Sequence, residues 1–326
     1  MTEDIFKVED EEPDYQLLPL EQKIERSKEI IKLASRMSWA YYKKPFICCY
    51  SGGKDSEVLL HLCEETIPLS EFEVLNSHTT VDAPETVRWI RQTVDRINGE
   101  GGCAQIQYPH DKNGNFISMW TLIPEKSMPP TRIVRYCCKA LKETSTPNRM
   151  ALLGVRSAES TKRQGRDVFG VRGGSYRQAT FFSLDHTSEV FRESQEIKDD
   201  VWDCTLIKSM KKHNDTVVNP IYDWTDADIW DYIRQEDIKV NPLYEQGYKR
   251  IGCIGCPLAK IRERKRDFER YPAYKNNYIK AFQKMINARA ERGMKVEWKT
   301  GKEVFDWWME KYKHEVKGQM SLEDFI

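Results

Sequence analysis

Residues 45–56 have the sequence Pro-Phe-Ile-Cys-Cys-Tyr-Ser-Gly-Gly-Lys-Asp-Ser. The first six form a short apolar run between polar residues, which is typical of a buried parallel strand. Two glycines follow, and residues 55–65 have a helical pattern. The stretch therefore predicts a strand, a glycine-bearing loop and a helix in succession, which is the repeating unit of α/β proteins.

The same alternation of strand and helix continues along the chain. Apolar runs predict strands at 72–76, 104–108, 150–155 and 216–221, and helical patterns appear at 21–42, 84–97 and 226–234. Strands that alternate with helices favour a parallel sheet covered on both faces. We therefore predict an α/β fold with a doubly wound, mostly parallel sheet and a helical C-terminal extension.

Three segments are expected: an N-terminal arm and helix (1–42), a main domain (43–257) and the helical extension (258–326). Residues 1–20 are acidic and proline-bearing, so we expect them to be loosely held. Residues 157–205 are rich in Gly, Ser and Arg and lack a clear period. We expect an irregular excursion there.

Composition narrows the class of protein. The 326 residues carry a formal net charge of zero, so attraction to nucleic acid requires a local patch. No apolar run is long enough to cross a bilayer, and the acidic N-terminus does not resemble a signal peptide. We therefore expect a cytoplasmic protein with no membrane association, whose nine cysteines indicate metal or redox chemistry rather than disulfides.

The loop after the first strand has the chemistry of a phosphate-binding site. Its glycines let the backbone approach a ligand, while successive N–H groups and the following helix N-terminus attract an anion. The lysine adds a positive charge, the serines add hydroxyl donors, and the aspartate is suited to hold Mg²⁺ against the phosphates. The residues expected to bind nucleotide are Ser51, Gly52, Gly53, Lys54, Asp55 and Ser56.

This loop resembles the phosphate loop of the PP-loop superfamily of adenine-nucleotide alpha hydrolases. It differs from the Walker pattern, which has longer spacing and ends in Lys-Ser/Thr. Superfamily members with this motif split ATP between its α and β phosphates, leaving an adenylated acceptor and pyrophosphate. The resemblance implies ATP and Mg²⁺ as ligands, catalytic roles for Lys54 and Asp55, and a PP-loop nucleotide-binding domain over 43–257.

Two pairs of cysteines are candidates for a metal site, namely Cys137-Cys138 and Cys253-Ile-Gly-Cys256. A C-x-x-C hairpin places two thiolates on one ion, and the tandem pair offers two more ligands together. Four thiolates suit zinc or an iron–sulfur cluster, and ligand chemistry does not separate these two. Simple core positions are expected for Cys48, Cys49 and Cys63.

The segment 241–256, which ends in the C-x-x-C, resembles the cysteine segment of adenylyl-sulfate reductases. The tandem pair of that family resembles Cys137-Cys138, and its four cysteines hold a [4Fe-4S] cluster. The resemblance therefore implies a [4Fe-4S] cluster on the four cysteines here, with zinc as the alternative.

The loop Gly154–Arg163 resembles the arginine-containing loop of phosphoadenylyl-sulfate reductases. Arg156 and Arg163 are suited to bind phosphate or sulfate oxygens in bidentate fashion, and the alternative is a charged surface loop. The resemblance implies that both arginines bind the nucleotide and that Arg156 acts in catalysis.

The segment 220–233 also matches this family, and we interpret it as structural. Thr225 is the expected N-cap of a helix, and the acidic side chains at 226 and 228 favour the positive helix end. The residues expected to face the core are Ile229, Trp230 and Ile233.

The chain departs from the sulfonucleotide reductases in two respects. Those enzymes carry a catalytic cysteine in a C-terminal tail, whereas no cysteine follows Cys256 here. Their loop usually lacks the lysine found at Lys54. A complete loop with four cysteines is similar to the DndC-type proteins of DNA phosphorothioation, whereas the small subunit of ATP sulfurylase has the loop alone.

We therefore predict an ATP pyrophosphatase and sulfurtransferase that adenylates a nucleic acid or a nucleotide. One alternative is a phosphoadenylyl- or adenylyl-sulfate reductase that uses an external thiol. A second alternative is a non-catalytic, nucleotide-sensing subunit of a complex.

Partners are suggested by two further segments. Lys260–Arg266 is basic and three tyrosines follow, which suits nucleic acid, although interrupting acidic residues make a solvated helix face an equal alternative. The tail Gln319-x-x-Leu-x-x-Phe325 resembles a sliding-clamp-binding peptide. For the predicted sulfur transfer we also expect a sulfur-donor protein of the cysteine desulfurase type as a partner.

Overall fold

The computed structural model describes residues 14–111, 113–142, 146, 148–159, 168–171 and 216–310. The strands are β1 (Phe46–Cys49), β2 (Phe72–Ser77), β3 (Cys103–Gln107), β4 (Met150–Leu152), β5 (Phe169–Val171) and β6 (Thr216–Val218). The helices are α1 (Leu20–Tyr42), α2 (Lys54–Thr66), α3 (Pro84–Gly99), α4 (Met119–Lys126), α5 (Tyr136–Leu141), α6 (Asp226–Gln235), α7 (Ile261–Arg270), α8 (Pro272–Glu291) and α9 (Gly301–Glu310).

The six strands form one sheet in the order β3-β2-β1-β4-β6-β5. β1 pairs in parallel with β2 on one side and with β4 on the other, so that Cys48 lies opposite Val74 and Leu152. β6 continues the parallel pairing beside β4. After β1 the chain adds β2 and β3 on one side of the sheet, and it later adds β4, β5 and β6 on the other side. The carboxyl ends of β1 and β4 are therefore a topological switch point, where α/β folds bind ligands.

Contacts divide the chain into two compact units, the first of which comprises Met1–Leu75, Val94–Ala104 and Thr146–Val240. Its core contains the fully buried side chains of Ile31 and Phe46. The buried indole of Trp224 donates to Ser27 Oγ at 3.0 Å, and that hydroxyl donates to the Pro220 carbonyl at 2.8 Å. These bonds fasten the segment before α6 to α1, which fixes the start of α6.

The second unit comprises Asn76–Thr93, Gln105–Ser145 and Asn241–Ile326. Its core is helical and aromatic, because α8 packs on α4 and α9. Tyr278, Phe282 and Trp308 are at most 1% exposed. The Trp308 indole donates to the Pro130 carbonyl at 2.7 Å, which satisfies its buried N–H group.

The predicted fold class is confirmed, since the sheet is mostly parallel and covered by helices. One strand was missed: β5 pairs antiparallel with β6 at the sheet edge. It has three residues inside the stretch 157–205, which is too short for a pattern to show. β4 and β6 also end three residues earlier than the apolar runs at 150–155 and 216–221 indicate.

Most of the excursion expected at 157–205 and the whole arm up to residue 13 lie outside the described residues. The boundaries expected at residues 42 and 257 stay a prediction. Among the helices of the described residues, none is long and apolar enough to span a bilayer.

Candidate functional site

The loop between β1 and α2 lies at the switch point of the sheet. Gly52 has a φ angle of 70°, in the left-handed region that favours glycine. Ser56 Oγ accepts hydrogen bonds from the N–H groups of Ser51 and Gly53, both at 3.2 Å, and donates to the Gly53 carbonyl at 2.8 Å. The Ser56 side chain thus holds the loop in a tight turn at the N-terminus of α2, where the helix dipole attracts anions.

Lys54 and Arg156 come together from the segments that follow β1 and β4. Both are buried, with 5% of each side chain exposed. Asp226 Oδ1 accepts from Lys54 Nζ at 2.7 Å and from Arg156 Nη2 at 3.0 Å. Asp55 Oδ1 accepts from Arg156 Nε at 2.6 Å and from Lys54 Nζ at 3.2 Å. Two cations and two carboxylates therefore form one ion network whose formal charge is zero.

This network sets the charge state of Asp226. Burial acts to raise the pKa of its carboxyl, but hydrogen bonds and charges from Lys54 and Arg156 outweigh burial, and the pKa is lowered. Asp226 is therefore ionised at neutral pH. Trp230, on the same helix, is half-buried and lies with its ring centroid 6.0 Å from Lys54 Nζ, so our expectation that it faces the core was only partly right.

Gly154 brings the arginine segment into place. A Cβ atom at this position would lie 2.9 Å from the Asp55 carbonyl oxygen and 3.2 Å from the Ser56 nitrogen. Real Cβ atoms rarely approach backbone so closely, so only glycine lets the chain after β4 pass this near to the start of α2. Arg156 reaches Asp55 because of that close approach.

Sequence reasoning identified Lys54, Asp55 and Arg156, and the structure brings these three together. From the sequence, Asp226 was interpreted only as an acidic residue that stabilises the positive end of a helix, and Gly154 was given no role. The sequence distance from Lys54 to Asp226 is 172 residues, so no local spacing connects them. Arg163, the second expected anion-binding arginine, lies outside the described residues, as does the tail after residue 310.

The four candidate cysteines all lie in the second unit. Cys137 and Cys138 are in the first turns of α5, and Cys253–Cys256 forms a turn in which the Cys256 N–H donates to the Cys253 carbonyl at 3.1 Å. Gly255 has a φ angle of 70°, and a Cβ there would lie 2.3 Å from the Phe268 ring. The C-x-x-C turn therefore requires glycine at this position.

The sulfurs influence one another. A hydrogen bond with Cys138, burial and the nearby Cys253 and Cys256 sulfurs raise the pKa of the Cys137 thiol. Burial, followed by the charges of Asp82 and Cys256, raises the pKa of Cys253 to about 11, against the lowering effect of Lys142. A bound thiophilic cation would favour ionisation of these neighbouring thiols, because a metal binds the thiolate form and offsets the repulsion between thiolates.

The donor set therefore fits a zinc ion or an iron–sulfur cluster in its chemistry. In the part of the chain that the structure describes, however, no group of three or more His, Cys, Asp or Glu side chains has the arrangement of a formed metal site. The ligand roles of Cys137, Cys138, Cys253 and Cys256 stay a prediction.

A strained turn supports the C-x-x-C segment. Thr80 has a φ angle of 66°, which for a β-branched residue costs about 1–3 kcal/mol. The Ile254 N–H donates to the Val81 carbonyl at 2.8 Å, and Cys253 Sγ lies 3.5 Å from Thr79 Oγ1. A strained backbone conformation persists only where surrounding contacts hold it in place, and such conformations are frequent at functional sites. Sequence reasoning gave this turn no role.

Part of the basic and aromatic segment on α7 and α8 makes contacts within the protein. Arg264 is fully buried, with its guanidinium 4.1 Å from the Trp308 ring centroid, and Arg266 lies 3.6 Å from that of Tyr248. The hydroxyl groups of Tyr271, Tyr274 and Tyr278 donate to Glu85, to the Asp82 carbonyl and to the Ile254 carbonyl. Arg264 is therefore not part of a solvated helix face, whereas nucleic-acid binding by this segment stays a prediction.

Comparison with known proteins assigns the family. Residues 45–259 match the model of the phosphoadenosine phosphosulfate reductase domain, and the chain belongs to that family. It is 22% identical over 230 residues to a protein named adenosine 5'-phosphosulfate reductase from Anoxybacillus flavithermus, covering 70% of this chain and 80% of that one. It is also 25% identical over 270 residues to "Uncharacterized protein MJ0973" from Methanocaldococcus jannaschii.

The match to the Methanocaldococcus protein covers 80% of this chain but spans only 55% of that protein's length. Among solved structures, the chain is similar to phosphoadenylyl-sulfate reductase from Candida auris, in a phosphate complex. The identity is 17% and the TM-score 0.39, over 72% of this chain and 96% of the Candida chain.

Proposed function

We propose that this protein binds ATP as its magnesium complex, adenylates an acceptor with release of pyrophosphate, and prepares that acceptor for sulfur transfer. The acceptor class is a nucleic acid or a nucleotide. The observation that carries the proposal is the convergence of Lys54 and Arg156 beside the glycine loop at the N-terminus of α2. Two buried cations at this place suit a polyphosphate, and reductases that do not split ATP have no need of the lysine.

In the first step an oxygen of the acceptor forms a bond to the α-phosphorus of ATP. The bond from that phosphorus to the α–β bridging oxygen breaks, and the electron pair leaves with pyrophosphate. Lys54 and Arg156 stabilise the negative charge that builds on the leaving group, because they are held in place before the reaction. In this proposal the N–H groups of the loop bind the phosphates and Asp55 holds the magnesium ion of the substrate.

In the second step a sulfur nucleophile at the oxidation level of hydrosulfide bonds to the activated atom, and AMP leaves with the oxygen that attached it. A cluster or zinc ion on Cys137, Cys138, Cys253 and Cys256 would supply a thiophilic site for that sulfur. The strained turn at Thr80 and the required glycine at 255 hold the C-x-x-C segment in a defined conformation. The proposed source is a sulfur-donor protein of the cysteine desulfurase type, which carries the sulfur as a persulfide. A thiol reductant supplies the two electrons that bring this sulfur to the level of hydrosulfide, and the thiol is oxidised to a disulfide.

The test is a pyrophosphate-release assay with the full chain, ATP, Mg²⁺ and candidate acceptors such as single-stranded and duplex DNA, RNA and free nucleotides. Lys54→Met should abolish release that depends on acceptor. Asp231→Asn changes one charge on the exposed side of α6, where Asp231 pairs with Arg234, and should retain the activity. Release that Lys54→Met leaves unchanged would show that the reaction does not occur at this loop.

The family and the adenosine 5'-phosphosulfate reductase relative favour one alternative, a sulfonucleotide reductase with an external thiol. Release of labelled sulfite from adenylyl or phosphoadenylyl sulfate, with no pyrophosphate release from ATP, would establish that alternative. Tight binding of ATP without turnover in the presence of acceptor and sulfur donor would instead indicate a nucleotide-sensing subunit.

A further inference from the structure

We propose that Asp226 is a specificity residue of the nucleotide site, because its carboxylate occupies the place of an anion between Lys54 and Arg156. The site thereby discriminates against a free polyphosphate and accepts the magnesium complex. This inference rests on the proposed nucleotide site and deepens it.

The position of Asp226 is not explained by the helix that carries it. The N-cap of α6 is Thr225, whose hydroxyl accepts from the Asp228 N–H at 3.1 Å, while the Asp228 carboxylate accepts from the Thr225 N–H at 2.7 Å. This reciprocal pair satisfies the helix terminus without Asp226. Any carboxylate in the first turn benefits from the helix dipole while facing water, so the dipole does not direct Asp226 toward two particular cations.

Asp226 reaches both cations although water is available to it. Its side chain is 66% exposed, whereas those of Lys54 and Arg156 are 5% exposed. A single oxygen, Oδ1, accepts from both of them at 2.7 Å and 3.0 Å. This is the coordination that a phosphate oxygen would have between the same two donors. Because Asp226 is on the solvent side, a ligand can replace it without entering the core.

The charge of the network determines which ligands replace it. Lys54 and Arg156 are balanced by Asp55 and Asp226, so an incoming polyanion meets no net positive charge from these four groups. Two carboxylates repel its oxygens at short range, where the partly buried setting screens charge less than bulk water does. Magnesium removes this repulsion, because Mg²⁺ binds phosphate and carboxylate oxygens together. The arrangement therefore favours the magnesium complex.

The experiment measures binding of inorganic tripolyphosphate to the full chain by calorimetry, with and without Mg²⁺, at one ionic strength. In Asp226→Asn the shape and the Oδ1 acceptor remain while the charge is removed. We expect this variant to bind magnesium-free tripolyphosphate about tenfold more tightly than the wild type, since one repulsive charge is lost at close range. The difference between affinities with and without Mg²⁺ should shrink accordingly. Asp226→Ser, a second neutral variant, should show the same gain.

The matched control is Asp231→Asn, which makes the same charge change on the same helix at a residue paired with Arg234. It should bind as the wild type does. Equal magnesium-free affinity in wild type, Asp226→Asn and Asp226→Ser overturns the inference, and so does an equal gain in the control. Failure of every protein to bind tripolyphosphate overturns both the inference and the nucleotide site. A gain confined to the Asp226 variants, with no pyrophosphate release from ATP, supports the inference and removes the proposed reaction.

Discussion

Arg156 Nε lies 2.6 Å from Asp55 Oδ1, although 101 residues separate the two in sequence. Asp55 is in the first turn of α2, and Arg156 follows β4, the strand beside β1 in the sheet. The pairing of β1 with β4 therefore brings a cation from a distant segment to the loop between β1 and α2. This relationship makes the geometry of the guanidinium, and not only its charge, a testable feature of the site.

Arg156→Lys should weaken binding of the ATP–magnesium complex about tenfold, because an ammonium group cannot reproduce the planar fork that contacts Asp55 and Asp226 together. Calorimetry on the folded variant measures the change. Arg234→Lys, a substitution of the same type at an exposed residue of α6, is the control and should bind normally. Unchanged affinity in Arg156→Lys would mean that charge alone suffices at this position.

Gly154→Ala should lower the free energy of unfolding by about 1–3 kcal/mol, because the added Cβ would lie 2.9 Å from the Asp55 carbonyl oxygen and the backbone must shift to relieve this contact. Gly99→Ala is the matched control, since a Cβ at Gly99 meets nothing within 4 Å. Denaturant unfolding of both variants measures the difference. If the two variants were equally stable, the close approach of the β4 segment to the loop would not be needed for folding.

The sequence was most informative where a structure depends on neighbouring residues. Residues 45–56 predicted β1, the loop and α2 because apolar runs, glycines and helical periods are local patterns. The N-cap at Thr225 was predicted for the same reason, and its hydroxyl does accept from the Asp228 N–H. Cys48 and Cys63 are fully buried as expected, although Cys49 is only partly so.

Features that depend on distant parts of the chain were not predictable in this way. β5 became a strand only by pairing with β6, and its three residues carry no period of their own. Asp226 looked like any acidic residue at a helix start until the fold placed it against Lys54. Arg264 appeared to belong to a basic surface, yet it is buried against Trp308. In each case the partner that determines the role is far away in sequence.

The free energy of unfolding should fall at acidic pH, because Asp228 becomes protonated there. Burial acts to raise the pKa of its carboxyl, but hydrogen bonds from Lys23 and Thr225 outweigh burial and lower the pKa below its ordinary value of 3.8. A lowered folded-state pKa means that the stabilisation is present above the unfolded pKa. It is lost as pH falls through the folded value.

Unfolding free energy measured between about pH 2 and pH 6 should therefore fall toward acid more steeply in the wild type than in Asp228→Asn. The variant should also be less stable near neutral pH by about 1–3 kcal/mol, because it leaves Lys23, whose side chain is 3% exposed, without its anionic partner. Asp231→Asn should keep the wild-type acid dependence. Identical pH profiles in wild type and Asp228→Asn would show that this ion pair contributes no linked stability.

If the four cysteines hold the proposed metal, the metal content should depend on Gly255. In Gly255→Ala the φ angle of 70° and the contact of the new Cβ with Phe268 both oppose the C-x-x-C turn. We expect this variant, purified without oxygen, to contain much less iron or zinc than the wild type, measured as metal per chain together with acid-labile sulfide.

Gly247→Ala is the matched control, because Gly247 also has a positive φ angle, of 82°, but a Cβ there meets nothing within 4 Å. The control carries the cost of the backbone conformation without the steric contact, so it should retain its metal. Equal metal content in the two variants would show that the shape of the turn does not determine ligation, and absence of metal from the wild type as well would count against a site on the four cysteines.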